Sequence, residues 1–75
     1  MMSLSQFSDQ VGCHFTTASK LRNGHLLPSA RLLSRIVHVY GLDGAEALDA
    51  YAGGAYTFSE YLRRNVFEAT DLVAA

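Results

Sequence analysis

Residues 3–29, SLSQFSDQVGCHFTTASKLRNGHLLPS, constrain the fold of this chain most, because their caps and turns fall at fixed spacings. Ser3 and Gln6 form the S-x-x-Q pattern of a capping box, in which the serine oxygen accepts from a free backbone N–H and the glutamine reaches back to the cap. A helix is predicted to start there. Leu4, Phe7, Ser8 and Val11 recur at helical spacing, giving an apolar stripe with a small residue where a neighbouring helix must come close. Gly12 ends it, since glycine enters the left-handed region without a Cβ penalty and permits a turn within a few residues. A second helix is predicted over residues 15–23, with Cys13, Ala18 and Leu21 as its apolar positions. That leaves His14, Thr16, Thr17, Ser19, Lys20 and Asn23 on the other face, and Asn23-Gly24 as the stop.

The remainder reads as helices with short breaks. Pro28 and a capping Ser29 open a third helix with a broad buried face of Leu32, Leu33, Ile36, Val37 and Tyr40, closed by Gly41. Asp43 caps a fourth through about Tyr51, with Ala47, Leu48 and Tyr51 inward, and Gly53-Gly54 breaks it. Thr57 and Glu60 spell a second capping box, which predicts a last helix with a stripe of Phe58, Tyr61, Leu62 and Val66, flanked by Phe67. Residues 70–75 are expected to be a frayed tail. The expected fold is an all-α bundle of about five short helices forming a single domain over residues 1–75.

With 75 residues the core is thin, so self-association would help stability. The longest apolar run is far short of a membrane span, and the first residues lack the basic and apolar regions of a secretory signal. One cysteine makes no internal disulfide, and Cys13 reads as a small hydrophobe. The expected setting is therefore cytoplasmic. The scattered His14, His25 and His38 have no metal-ligand spacing, and no nucleophile elbow or glycine-rich phosphate loop is present. Neither catalysis, metal, cofactor nor small-molecule ligand is expected. Net charge is −1 overall but divided along the chain. Residues 1–41 carry Lys20, Arg22, Arg31 and Arg35 against Asp9, whereas Arg63 and Arg64 face six carboxylates beyond. A basic half and an acidic half would direct a polyanion to the first.

Over residues 3–42 the chain resembles the Cro and lambda-repressor (XRE) family of helix-turn-helix proteins. The resemblance rests on Ser8 four residues before Gly12, on Cys13, Ala18 and Leu21 after it, on the Asn23-Gly24 exit, on Pro28-Ser29, and on the LLSRIVHVYGL segment at residues 32–42. The chain departs from the pattern in three places. The family's leading helix has only Met1 and Met2 in its stead, Arg22 stands where glutamate is frequent, and Ala18 stands where valine or isoleucine is usual.

The resemblance implies a DNA-binding transcriptional regulator of phage or bacterial origin, acting as a Cro-like repressor in the host cytoplasm or nucleoid. It would dock its second motif helix in the major groove of double-stranded DNA as a homodimer on a short palindromic operator. His14, Phe15, Thr16, Thr17, Ser19 and Lys20 are then the base-reading candidates. Lys20 suits guanine O6 and N7; Phe15 either packs on thymine methyls or folds back onto the core. Ser5, Gln6, Asn23, His25 and Arg31 are phosphate candidates, and Arg22 either joins them or pairs with Asp9 or a C-terminal acid. Phe58, Tyr61, Leu62 and Val66 are the candidate dimer interface, unless that stripe is consumed covering the protomer's own core. The competing expectation is a protein-interaction module, an antirepressor or adaptor, on the same scaffold.

Overall fold

The structure, a computed structural model, describes residues 2–69. Helices α1 (Leu4–Val11), α2 (Phe15–Arg22), α3 (Ala30–Tyr40), α4 (Gly44–Ala52) and α5 (Ala55–Leu62) follow one another, and α5 runs on into a π-helical turn, Arg63–Phe67. There is no strand among the described residues, and no helix there is long and apolar enough to cross a membrane.

Local chemistry sets most of the boundaries. The Gln6 amide donates to Ser3 Oγ at 3.1 Å and the Ser3 amide to Gln6 Oε1 at 3.0 Å, a complete capping box. At the other end of α1, Gly12 has φ +69° and the Cys13 amide donates back to the Ser8 carbonyl at 3.0 Å. Gly24, at φ +78°, repeats the device after α2, with the His25 amide on the Lys20 carbonyl at 2.9 Å. Ser29 Oγ accepts from Leu32 and Asp43 Oδ1 from Ala45 and Glu46, capping α3 and α4.

The core is built on Phe7, Val11, Ala18, Leu21, Ile36, Phe58 and Leu62, all without exposed surface. Phe7 is clamped between rings, with Phe67 at 5.0 Å and Tyr40 stacked at 6.0 Å between centroids. Phe58 meets Tyr51 edge-on and Tyr61 more nearly face to face, each at 6.2 Å. The apolar side of α1 and α2 is thus covered from the other end of the chain. α5 packs on α2, Phe67 lies on Phe7, and the Met2 amide donates to the Phe67 carbonyl.

Three expectations are corrected. The last helix does not begin at Thr57; it begins at Ala55 on Gly54, with no side-chain cap. The earlier start is what puts Phe58 and Ser59 inside, while Thr57 packs so tightly on Gly53 that a Cβ there would stand 2.9 Å from Thr57 Cγ2. Leu48 points outward, 58% exposed, because the inward row of α4 is Ala47, Ala50 and Tyr51. The α3 face lies inward as expected, with Ile36 fully buried and Leu32, Leu33 and Tyr40 half-buried and packed on the core. Phe58, Leu62 and Val66 are 0%, 0% and 2% exposed in the single protomer, so the core consumes the stripe assigned to a dimer interface. Tyr61 alone of that set stays half-exposed. The predicted tail lies outside the described residues.

Candidate nucleic-acid interface

α2 is anchored by one side only. Ala18 and Leu21 are fully buried against the core, whereas His14, Phe15, Thr16 and Lys20 are exposed and Thr17 and Ser19 half-buried. Thr16 and Lys20 stand one turn apart, so both belong to one outward row. Phe15 does not fold back onto the core: it is 51% exposed. Ser19 and Asn23, also a turn apart, hold each other through Asn23 Nδ2 donating to Ser19 Oγ at 3.4 Å.

Where α1 meets the start of α2, Ser5, Ser8, Asp9, Gly12, Cys13, His14 and Phe15 line a shallow open groove. It joins a phosphate candidate, Ser5, to two base-reading candidates, His14 and Phe15. It also contains Asp9, which sequence spacing does not single out. A carboxylate there repels a phosphate and suits a cytosine amino group. Burial pushes the Cys13 thiol, one of the groove's lining groups, upward. Gln6 is only in part free, since its carbonyl oxygen is engaged in the α1 cap.

His25 and Arg31 are exposed on either side of Pro28. Arg22 is half-buried and, among the described residues, makes no ion pair with Asp9 or any other acid. It lines a second cleft with Asn23, Arg63, Phe67 and Glu68. Here Arg63 Nη2 donates to the Arg22 carbonyl at 3.4 Å, capping the end of α2 from a position 41 residues away. Arg35 acts similarly on α1: its Nη1 donates to the Val11 carbonyl at 3.1 Å and rests over Gly12. No sequence signal links either arginine to its partner, because both contacts are made across the fold.

Among the described residues no lysine or arginine is held in an ion pair. Compared with family models, curated proteins and solved structures, the chain matches none.

Proposed function

We propose that this protein is a sequence-specific double-stranded DNA-binding regulator, reading an operator with α2 in the major groove and repressing transcription by occupying it. The observation that carries the reading is the one-sided anchoring of α2. Its buried residues are small or aliphatic, and its outward row offers Thr16, Lys20 and His14 as hydrogen-bonding groups and Phe15 as an apolar contact. Asn23, His25 and Arg31 follow at the exit as phosphate contacts, and Ser5 at the groove adds another. In this reading the active form is a homodimer whose half-sites lie one helical turn, ~34 Å, apart on a palindrome. The setting this implies is the cytoplasm or nucleoid of a bacterial cell.

Fluorescence anisotropy with duplexes from the DNA flanking its own gene, titrated at rising salt, tests the reading. Saturable, sequence-dependent binding that weakens steeply with salt is expected, since each phosphate contact releases counterions. Absence of any sequence-dependent binding at low salt would remove the proposal. A second reading, a protein-interaction module, is favoured by one observation: Leu48 is exposed on α4 between the acidic Glu46 and Asp49. Such an interface would respond weakly to salt.

A further inference from the structure

Two arginines from distant parts of the chain meet at the exit of α2. Arg22 ends that helix and Arg63 opens the π-helical turn 41 residues later, yet both line one cleft with Asn23, Phe67 and Glu68. Arg63 is held there from two sides. Its Nη2 donates to the Arg22 carbonyl at 3.4 Å, and the turn that carries it is seated through Phe67, 2% exposed, whose ring lies 5.0 Å from that of Phe7. The side chain is nonetheless exposed, and that bond uses one of the five N–H donors of a guanidinium.

We propose, on the reading of α2 as the DNA-binding helix, that this cleft seats a backbone phosphate of the same duplex, with Arg63 as a contact from outside residues 3–42. The C-terminal carbonyls of a helix carry partial negative charge and by themselves repel an anion. Arg63 lies on one of them and offsets it. A guanidinium fork can keep one nitrogen on a carbonyl and turn its others to phosphate oxygens, and Arg22 brings a second guanidinium to the same cleft. A contact here flanks the outward row of Thr16 and Lys20, so it fixes the register in which they meet the bases without reading sequence itself. Carboxylates set its strength. Glu68 lines the cleft, and with Glu60 and Arg64 it lines a second hollow that Arg63 also borders. Three arginines against two carboxylates leave one positive charge in excess, and Glu68 is the group that opposes a phosphate in the cleft.

Anisotropy titrations of the full chain with duplex DNA, from ~50 to ~200 mM salt, test this assignment. Arg63→Gln should weaken every duplex alike and lower the salt slope by about one, so its deficit against the unaltered protein should shrink about threefold across that range. Arg63→Lys keeps the charge and should keep the slope, which a purely structural role of the fork would leave unaltered in both variants. Arg64→Gln removes the same charge one residue along, outside the cleft, and should lower the slope by less than about half as much. Glu68→Gln should strengthen binding about twofold or more, and it keeps the assignment open to refutation should Arg63→Gln fail to fold. Duplex binding with an unchanged slope in Arg63→Gln, an equal loss in Arg64→Gln, or no gain from Glu68→Gln would each overturn the phosphate seat and leave α2 as the reading helix. An unaltered protein that binds no duplex would remove both.

Discussion

Replacing Gly12 by alanine tests how the angle between α1 and α2 is held. The turn has φ +69°, where a Cβ costs about 1–2 kcal/mol. The new methyl would also lie 2.9 Å from Arg35 Nη1, the atom that donates to the Val11 carbonyl. A guanidinium tip can move aside, but only by giving up that bond. Hydrogen bonds from charged donors are worth about 1.5–3 kcal/mol, and solvent around the exposed Arg35 reduces this one to about 1 kcal/mol. Gly12→Ala should therefore cost about 2–3 kcal/mol, a fall in Tm of roughly 10–20 °C for a domain of this size. Arg35→Ala alone should cost about 1 kcal/mol.

The double variant is the discriminating measurement. Once the methyl has displaced the guanidinium, Arg35→Ala has nothing left to remove, so in the Gly12→Ala background it should cost close to zero. The coupling of about 1 kcal/mol is within reach of urea denaturation followed by circular dichroism, provided the m value is unchanged. Sucrose in the buffer keeps the weakest variant folded enough to measure. Equal costs of Arg35→Ala in both backgrounds would refute the clamp. A Gly12→Ala cost below about 0.5 kcal/mol would refute the need for a left-handed turn.

Three further outcomes are expected. Lys20→Ala should weaken binding to the best duplex by about 1–3 kcal/mol and relax preference at one base pair, measured by competition anisotropy; equal loss on all duplexes would make Lys20 a phosphate contact. Arg31→Ala should weaken every duplex alike and reduce the salt slope by about one, and a loss confined to the best duplex would exclude that role. Burial lifts the Tyr40 hydroxyl to about 12, with its proton donated to Gln10 Oε1 at 2.7 Å. Since its folded value lies above the unfolded one of about 10, the contribution is fully present below pH ~10 and is lost as pH rises towards ~12. Partial exposure limits it to on the order of 1 kcal/mol, and Tyr40→Phe should flatten that part of a stability-versus-pH curve. An unchanged curve would deny Tyr40 the role.

Both ends of α1, the end of α2 and the starts of α3 and α4 were readable because each is fixed by residues within a few positions of one another. Ser3 with Gln6, Gly12, Gly24, Ser29 and Asp43 act on their own turns. The start of α5 was not, because two signals compete there and distant packing decides between them. Thr57 and Glu60 spell a cap, yet seating Phe58 in the core and Ser59 against Gly24 requires the helix to be under way by then. The π-helical turn has no local signature either. An α-helix continued from Leu62 would bring Val66 inward and swing Phe67 aside. With the Glu68 amide donating to the Arg63 carbonyl at 2.7 Å, five residues back, the wider turn lets Val66 and Phe67 both enter the core at 2% exposure.

That widened turn also changes what the charge division along the sequence means. Arg63 belongs to the acidic half by position, but the fold sets it on the exit of α2 beside Arg22 and Asn23. Arg35 belongs to the basic half, but one of its donors is spent on the Val11 carbonyl. A guanidinium bound to a carbonyl keeps its charge and loses its freedom, so both arginines contribute to the local potential while serving as fixed parts of the scaffold. Discrimination between bases would then fall to the side chains with no such structural duty. On the outward row of α2 these are Thr16 and Lys20, with His14 and Phe15 at its start. Substituting Arg35 or Arg63 should accordingly alter stability and affinity together, whereas substituting Lys20 should alter affinity with stability unchanged.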